Sequence, residues 1–298
     1  MLEMRIEPIV SVIIPTYRGS GTIRRSIKSV VNQTYKSMQI IVVDDNGDST
    51  EKQRETQRIV EEFPTVEYLI HKVNRNGSAA RNTGIAHSVG KYIAFLDDDD
   101  VWSSEKIERQ VQIMEQKEST VGIVYGPFVT IDDRGGEKYI DGGLEGNILF
   151  DFLIERVQMA SSLIMVRREV LVALRGFDES FSRHQDWEMI CRIAEKYQVA
   201  YAPGAWTYKY LLHRNSPRQL EELENNRVYY LDKMSAIINE LSPKQRVEVF
   251  DYHYTFLAKE SIRRGKLRRC VHWLRKTGHV FRCTVRLLRD AIRKILYL

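Results

Sequence analysis

Two groups of aspartates follow apolar runs that are typical of buried β-strands. Asp44 and Asp45 come directly after the run 38–43, and four aspartates occupy residues 97–100 after the run 92–96. In open α/β sheets, ligands bind beyond the carboxyl ends of the strands, where both groups would lie. Successive carboxylates repel one another unless a cation neutralises them, and their hard oxygen ligands suit Mg²⁺ or Mn²⁺ beside a nucleotide phosphate. For the run 97–100 taken alone, a solvated acidic turn is the alternative.

The elements that would position these aspartates alternate between strands and helices. Apolar runs predict strands at 9–14, 38–43, 66–70 and 92–96. Helical periodicity predicts helices that begin at Thr22, near Ser78 and at Ser103. This alternation predicts an α/β domain with a mostly parallel sheet, and a later strand at 161–166 predicts an antiparallel edge. From Gln219 to the end, the pattern predicts helices only.

Composition limits the possible classes of protein. The chain has 298 residues, 43% of them hydrophobic and 29% charged, which excludes disordered, collagen-like and small disulfide-rich classes. Three cysteines without a CxxC spacing suit a reducing compartment, and no apolar run reaches about 18 residues, so we expect a soluble cytoplasmic protein. The chain contains neither GxGxxG after the first strand nor GxxxxGK[ST], which argues against a nicotinamide-type Rossmann site and a P-loop.

Several motifs, in this order and spacing, resemble those of the family 2 glycosyltransferases. They lie at 10–17 (VSVIIPTY), 41–45 (IVVDD), 76–82 (NGSAARN), 95–102 (FLDDDDVW), 176–178 (GFD) and 185–187 (QDW). The resemblance continues to His213 and Ser216. It implies a GT-A (Rossmann-like) fold over residues 1–218, with a mostly parallel mixed sheet flanked by helices, and an all-helical extension over 219–298. It also implies transfer of a sugar from a nucleotide diphosphate to an acceptor hydroxyl, with inversion at the anomeric carbon.

The resemblance assigns roles on the donor side of the site. Asp99 would bind the divalent metal, Mn²⁺ or Mg²⁺, and Asp97 would meet the ribose or a metal-bound water. Asp98 stands where many relatives have Ser. The residues expected to bind the nucleotide are Pro15, Thr16, Tyr17, Asp44, Arg81, Asp97 and Asp98. Among them, Tyr17 would pack on the base, and the Asp44 carboxylate would accept from a pyrimidine N3–H.

The resemblance also assigns the acceptor side. Asp186 would be the catalytic base, near the start of a helix, where the helix dipole and shielding by Trp187 shift its pKa in opposite directions. Gln185 replaces the Glu that is usual in the family, and we place Gln185 and Trp187 as supporting or acceptor-side residues. His213 is a second candidate metal ligand. The usual Arg of that segment is replaced by Leu211, and Lys209 and Arg214 are the cations that would substitute for it.

The C-terminal region is strongly basic. Residues 259–298 contain 13 Lys or Arg against Glu260 and Asp290, and apolar or small residues recur in steps of four and three from 267 to 295. This predicts a long amphipathic helix, interrupted at Gly278, and three roles compete. They are association with an anionic membrane surface through Trp273 and Phe281, formation of a helical hairpin or homodimer, and nucleic-acid binding, which the lack of a recognisable module disfavours. A zinc site built from Cys270, His272, His279 and Cys283 is disfavoured, because ligands on one helix cannot converge tetrahedrally.

The resulting hypothesis is an inverting, metal-dependent glycosyltransferase that uses a UDP-sugar. Its acceptor would be a lipid-linked glycan of surface polysaccharide synthesis, reached at the cytoplasmic face of the membrane. The alternative is a catalytically silent sugar-nucleotide-binding subunit that scaffolds a partner through its basic tail, a reading motivated by Gln185 and Leu211. A nucleotidyltransferase is a weaker rival, because residues 15–19 form a poor glycine-rich basic loop.

Overall fold

A computed structural model describes residues 7–211 and 219–285, together with Leu287 and Arg289. The described residues form two compact units. The first contains residues 7–148 and 158–211, and the second contains residues 149–157 and the described residues from 219 onward. The second unit therefore includes a segment, 149–157, that the sequence analysis assigned to the first domain. His213 and Ser216 lie outside the described residues.

The first unit contains two sheets and the helices beside them. Its strands are β1 (Val10–Thr16), β2 (Met38–Asp44), β3 (Val66–Ile70), β4 (Tyr92–Phe95), β5 (Val101–Trp102), β6 (Val121–Tyr125), β7 (Phe128–Ile131), β8 (Glu137–Ile140), β9 (Ile164–Arg167), β10 (Gln198–Tyr201) and β11 (Thr207–Tyr210). Its helices are α1 (Ile23–Val31), α2 (Glu51–Val60), α3 (Gly77–His87), α4 (Lys106–Gln116), α6 (Arg168–Ala173) and α7 (Gln185–Lys196).

The larger sheet is mixed, as the sequence analysis predicted, but its antiparallel strand is not at an edge. The strand order is β10-β6-β9-β4-β1-β2-β3, and β9 runs antiparallel between β4 and β6. Every residue of β9 is buried, so its apolar run Ile164–Val166 requires cover on both faces and a neighbour on both sides. The smaller sheet has the order β5-β11-β7-β8.

Strand register brings both groups of aspartates to one end of the larger sheet. Thr16, the last residue of β1, pairs with Asp44 in β2, and Ile13 pairs with Phe95 at the end of β4. The first strand was predicted to end at residue 14, yet β1 continues through Pro15 to Thr16. Ile13 O accepts from Leu96 N, and Pro15 faces the same side beyond the end of β4, so its missing N–H leaves no ladder bond unmade.

The second unit is helical throughout its described part, as predicted from Gln219 onward. Its helices are α5 (Leu149–Leu153), α8 (Leu220–Lys233), α9 (Ser235–Asn239), α10 (Pro243–Arg263), α11 (Leu267–Arg275) and a helical stretch at 280–285. Buried polar contacts hold the segment 149–157 here. His253 is fully buried, with Nε2 2.9 Å from Leu153 O and Nδ1 2.9 Å from an Arg227 guanidinium nitrogen, and Arg227 also pairs with Glu155. No helix among the described residues has the length and apolar composition needed to cross a bilayer.

The apolar face of the basic region packs into the hydrophobic core of the second unit. Trp273 is 4% exposed, its Nε1 donates to Glu224 (2.5 Å), and its ring stacks on Tyr254, so the predicted insertion of Trp273 into a membrane is wrong. The interruption predicted at Gly278 is confirmed, because α11 ends at Arg275 and the chain becomes helical again at 280. At this break, Gly278 N donates to Asp251 Oδ1 (2.6 Å). Phe281, in contrast, is 83% exposed.

Candidate active site

The four aspartates after β4 alternate between surface and interior. Asp97 and Asp99 are partly exposed, whereas Asp98 and Asp100 are buried. The turn is closed by a hydrogen bond from Asp100 N to Asp97 O (3.1 Å). A ligand can therefore reach the carboxylates of Asp97 and Asp99. These two residues have the Asp-x-Asp spacing of the motif that the sequence resemblance implies.

Asp98 is the buried second residue of the acidic turn. Its Oδ2 accepts from the buried Thr16 hydroxyl (2.6 Å), and a Cβ added at Gly19 would lie 1.8 Å from the same oxygen. Gly19 is therefore required by the close approach of this carboxylate. The Asp98 and Thr16 side chains fasten the acidic turn to the end of β1, and their contact with a nucleotide stays a prediction.

Arg81 connects the acidic turn to α7. Its guanidinium donates to Asp97 Oδ1 (2.6 Å) and to Gln185 Oε1 (3.2 Å), and it lies 5.4 Å from the centre of the Phe177 ring. Burial raises the pKa of Asp97, but the charges of Arg81 and Lys209 outweigh that effect and hold the pKa below its usual value. Arg81 thus keeps Asp97 ionised and gives Gln185 a structural role.

Asp186 is the second residue of α7 and lies beside the same cluster. Its Oδ1 accepts from Trp187 N (3.0 Å), and its Oδ2 accepts from Ser161 N (3.4 Å). Burial raises the pKa of Asp186, the Arg81 charge opposes this, and the Asp97 charge adds to it. The net shift of the Asp186 pKa, whose direction the sequence analysis left open, is therefore upward. A raised pKa makes the carboxylate a stronger base.

A pair of serines, missed by the sequence analysis, holds the two carboxylates together. The 3₁₀ turn Ser161–Leu163 replaces the start of the predicted strand at 161–166. The Ser161 hydroxyl donates to Asp97 Oδ1 (3.1 Å) while its backbone N–H donates to Asp186, and Ser162 Oγ accepts from Asp97 N (3.0 Å). The sequence signal is the hydroxyl pair itself, at the start of an otherwise apolar run.

The predicted base-binding residues lie at different depths. Tyr17, directly after β1, is 45% exposed, and its ring lies 5.0 Å from the Arg18 guanidinium. Asp44 is fully buried, and both of its oxygens are used: Oδ1 accepts from the Asn46 backbone and side chain (2.8 Å each), and Oδ2 accepts from the Tyr68 hydroxyl (2.6 Å). These contacts use three of the roughly four acceptor positions of the Asp44 carboxylate, so Oδ2 retains one position for the N–H of a base.

Asp45 positions Arg81 through the start of α3. Its carboxylate accepts from the backbone N–H groups of Arg75 (2.8 Å) and Asn76 (2.9 Å) and faces His71 Nδ1 (2.7 Å). Asn76 has φ +80° and accepts, through its side chain, from the first free N–H groups of the helix. Asp45 therefore sets the loop from which α3, and with it Arg81, begins.

Two aromatic rings stack at the N-terminus of α7. Trp187 is partly buried and stacks on His184, with ring centroids 4.4 Å apart. His184 has φ +61° and precedes the first helical residue, so the chain turns sharply just before Asp186. The backbone N–H of Trp187 donates to Asp186, so this aromatic pair lies beside the carboxylate at the start of the helix.

Comparison with known proteins identifies the family. The sequence model described as "Glycosyl transferase family 2" matches residues 11–172, more than half of the chain. The chain belongs to glycosyltransferase family 2. Asp97, Asp99 and Arg81 lie within this match, whereas Asp186 follows it.

Curated relatives support the same family. An uncharacterized glycosyltransferase of Rickettsia felis is 26% identical over 259 residues, covering 85% of this chain and 42% of that protein. The Escherichia coli protein WfgD, named UDP-Glc:alpha-D-GlcNAc-diphosphoundecaprenol beta-1,3-glucosyltransferase, is 35% identical over 128 residues, covering 42% of this chain and 48% of that one. The chain thus spans less than half the length of both relatives.

Solved structures confirm the GT-A fold. The mannosyltransferase PcManGT of Pyrobaculum calidifontis, in complex with GDP-Man and Mn²⁺, matches with a TM-score of 0.62 at 17% identity, covering 97% of this chain and 81% of that one. S. aureus TarS 1-349, in complex with UDP-GlcNAc, matches with a TM-score of 0.65 at 15% identity, covering 92% and 81%. At these identities the match establishes the fold of the chain.

Proposed function

We propose that this protein is an inverting glycosyltransferase that moves a sugar from a UDP-sugar to an acceptor hydroxyl, with Asp186 as the base. One observation carries the proposal. A single residue, Ser161, donates through its hydroxyl to Asp97 and through its backbone to Asp186. An ionised carboxylate that faces the donor phosphates is thereby held next to a carboxylate that can accept a proton.

The chemistry follows from the different states of the two carboxylates. The acceptor oxygen forms a bond to the anomeric carbon and loses its proton to Asp186, while the bond from that carbon to the diphosphate breaks. Single displacement of this kind requires a base on one face of the sugar and help for the leaving group on the other. Burial makes Asp186 the more basic group, and Arg81 keeps Asp97 anionic.

A divalent metal fits the exposed pair Asp97 and Asp99. Mg²⁺ and Mn²⁺ at nucleotide sites commonly take one or two protein carboxylates and complete their coordination with phosphate oxygens and water. Among the described residues there is no group of three or more His, Cys, Asp or Glu side chains placed to hold a metal. When bound, the metal supplies Lewis-acid stabilisation of the leaving diphosphate. His213 remains a proposed further ligand.

The substrate classes are taken from the relatives. TarS is described in complex with UDP-GlcNAc, and the name of WfgD combines UDP-Glc with a diphosphoundecaprenol-linked sugar. We therefore propose a UDP-sugar donor and a lipid-linked glycan acceptor in bacterial surface polysaccharide synthesis. The exposed ring of Tyr17 at the end of β1 is the surface on which the uracil would pack.

A nucleotide and metal screen tests this proposal. Ligands that bind the native state raise its stability by mass action, by about 2.7 kcal/mol at a hundredfold excess over Kd. We expect UDP with Mn²⁺ or Mg²⁺ to raise the melting temperature more than GDP, CDP or TDP does, and EDTA to reduce the effect. The result that would contradict the proposal is no response to any nucleotide. Binding of UDP without transfer or hydrolysis of any UDP-sugar would favour a silent binding subunit.

Peripheral membrane association is a further part of the proposal. Residues 259–285 contain nine Lys or Arg and one Glu, and exposed apolar side chains lie among them: Leu267 (69% exposed), Val271 (46%) and Phe281 (83%). Basic side chains next to an anionic lipid surface contribute about 1 kcal/mol each, and exposed aromatic rings suit its interface.

Vesicle sedimentation tests the association. The double substitution Arg268→Glu with Arg275→Glu is expected to lower binding to phosphatidylglycerol vesicles by about tenfold or more. It makes the net charge of an exposed helix more negative by four units, which weakens its attraction to anionic lipid. The matched control reverses two exposed lysines of the first unit, Lys72→Glu with Lys196→Glu. Equal loss in both variants, or equal binding of wild type to phosphatidylcholine vesicles, argues against this surface.

A further inference from the structure

A lysine without a charged partner is buried in the core of the first unit. Lys106, the first residue of α4, has no exposed surface, and burial lowers its pKa well below the usual value. Within the described part of the chain, no carboxylate pairs with it. Taking an amine out of water without a charged partner costs free energy, and an apolar side chain would fill the position at a lower cost. Lys106 is therefore a candidate for a role beyond packing.

The two contacts of Lys106 Nζ both lead to the 3₁₀ turn Ser161–Leu163. Nζ donates to Gln110 Oε1 (2.8 Å) and lies 3.8 Å from the centre of the Trp102 ring. Lys106 and Gln110 are four residues apart and lie on one face of α4. Because Nζ binds the oxygen of the Gln110 amide, the nitrogen of that amide is left to bind elsewhere. It donates to Leu163 O (2.8 Å), at the end of the 3₁₀ turn.

The indole of Trp102 holds the neighbouring carbonyl of the same turn. Trp102 Nε1 donates to Ser162 O (2.8 Å), to which the Thr207 hydroxyl also donates (3.2 Å). Trp102 is 3% exposed, and Gln110 and Ser162 are fully buried, so these hydrogen bonds are shielded from water and strengthened by the low local dielectric. The last two carbonyls of the turn are thus fixed by the side chains that Lys106 contacts.

Other polar groups of the turn hold the two carboxylates of the proposed reaction. Ser161 donates through its hydroxyl to Asp97 and through its backbone to Asp186, and Ser162 Oγ accepts from Asp97 N. Asp97 is also bound by Arg81, whereas the hydrogen bond from Ser161 N (3.4 Å) joins the Asp186 carboxylate to a residue outside its own helix. A shift of the turn would therefore displace Asp186 relative to Asp97.

We propose that Lys106 is a positioning residue for the base, Asp186. It fixes the Gln110 amide and the Trp102 indole, and these two groups hold the 3₁₀ turn. That turn presents the backbone N–H of Ser161 to Asp186. The inference rests on the proposed function above. Proton transfer requires hydrogen-bond distance between the acceptor hydroxyl and the base, so a small displacement of Asp186 lowers turnover.

A purely structural role of Lys106 makes a different prediction. Met has a similar length but no N–H group, so Lys106→Met keeps most of the packing and removes the contact with the Gln110 amide. If Lys106 only fills the core, this change should leave turnover unaltered, or should lower turnover and UDP affinity together through general loss of order. If Lys106 positions the turn, turnover should fall while UDP affinity stays, because Arg81 still holds Asp97.

The experiment measures UDP release by the full chain from a panel of UDP-sugars that includes UDP-Glc and UDP-GlcNAc, with a bacterial lipid extract as the source of acceptor. Calorimetric titration with UDP and Mn²⁺ measures affinity. We expect Lys106→Met to lower turnover by about tenfold and to change the Kd of UDP by about twofold or less. Gln110→Glu should have the same effect, because the carboxylate keeps the contact with Lys106 but has no N–H for Leu163 O.

Lys117→Met is the matched control for the lost lysine. Lys117 directly follows α4, and its side chain is 40% exposed and pairs with Glu145 at 3.2 Å. This substitution removes the same charge from the same end of the chain segment without touching the turn. It should change neither turnover nor UDP affinity.

The pH profile of turnover gives a readout that lost packing does not change. The N–H of Ser161 favours the ionised form of Asp186, so losing this hydrogen bond raises the pKa of that carboxyl. The acid limb of the turnover profile should therefore move to higher pH in Lys106→Met and in Gln110→Glu. It should not move in Lys117→Met.

The outcomes separate this inference from the proposed function. Wild-type turnover in Lys106→Met or in Gln110→Glu, or an equal fall of turnover and UDP affinity, overturns the positioning role and leaves the proposed function standing. If Lys106→Met does not fold, Gln110→Glu decides between the same outcomes. Failure of the wild-type chain to release UDP from any member of the panel overturns both.

Discussion

Replacing Asp186 with Asn is expected to lower the turnover number of sugar transfer by roughly 10²- to 10⁴-fold, the usual contribution of a general base. The amide keeps the size of the side chain and its contact with the N-terminus of α7, but it cannot take a proton. UDP affinity should stay within about twofold of wild type, because Asp186 acts on the acceptor and not on the nucleotide. Steady-state transfer assays and calorimetry on the same preparation measure both quantities.

The pH dependence gives this prediction a second readout. Burial raises the pKa of Asp186, and the base must be ionised to work, so turnover should fall as the pH is lowered through that raised pKa. The contribution of the Asp186 carboxyl to the free energy of unfolding changes with pH in the opposite direction to turnover. For a carboxyl whose folded pKa is raised, the contribution is fully present below the unfolded pKa and is lost as the pH rises through the folded pKa. At neutral pH, Asp186→Asn should therefore raise the melting temperature.

Glu195→Gln is the matched control for the Asp186 variant. Glu195 lies on the same helix, is exposed, and loses the same charge on substitution. It should leave turnover, UDP affinity and melting temperature unchanged. An Asp186→Asn enzyme with wild-type turnover would show that another group removes the acceptor proton.

Local sequence pattern predicted most of the elements of the first unit but not their arrangement. The strand at 66–70 and the helix from Thr22 were predicted with nearly the observed bounds, because their apolar periodicity is strong. The antiparallel position of β9 inside the sheet depends on pairing with β4 and β6, and no local pattern encodes that choice. Helix α2 was missed, although Thr50 accepts from Gln53 N at its start, because few of its residues are apolar.

In the candidate site, too, the sequence indicated individual residues but not the contacts between them. The resemblance to the family's motifs indicated Asp97, Asp186 and Arg81, and the structure places these three side chains in one cluster. The contacts that tune them join residues far apart in the chain: Ser161 reaches Asp97 across 64 positions, and Lys209 reaches Asp100 across 109. A single sequence carries no signal for such pairs.

The basic region illustrates how one pattern can serve two environments. Steps of four and three predict a helix with one apolar face but do not say whether protein or lipid covers that face. In the structure, Cys270, Trp273 and Leu287 belong to a buried cluster of the second unit, so protein covers it. What faces outward is the cationic surface with Phe281, and the membrane proposal now depends on that surface.

Replacing Arg81 with Met is expected to remove activity and to lower the free energy of unfolding at neutral pH. The Arg81 side chain is 11% exposed and that of Asp97 is 30% exposed, so the ion pair is largely desolvated. Removing one partner of a buried pair typically costs 3–5 kcal/mol, and the partial exposure of Asp97 reduces the expected loss to about 2–3 kcal/mol. Transfer should fall by about 10³-fold, because Asp97 and Gln185 both lose the group that orients them. Urea unfolding and transfer assays measure the two effects.

The pH profile of stability identifies the ion pair as the cause. Because Arg81 helps to hold the pKa of Asp97 below its usual value, the stability from this pair is present above the unfolded pKa of Asp97 and is lost as the pH falls through the folded pKa. The difference in stability between wild type and Arg81→Met should therefore shrink in acid. Arg75→Met is the control, since Arg75 pairs with Glu179 at 3.3 Å with both side chains more than 40% exposed, and such pairs contribute about 0–1 kcal/mol. If Arg81→Met proves as stable and as active as Arg75→Met, the Arg81–Asp97 pair does not organise the site.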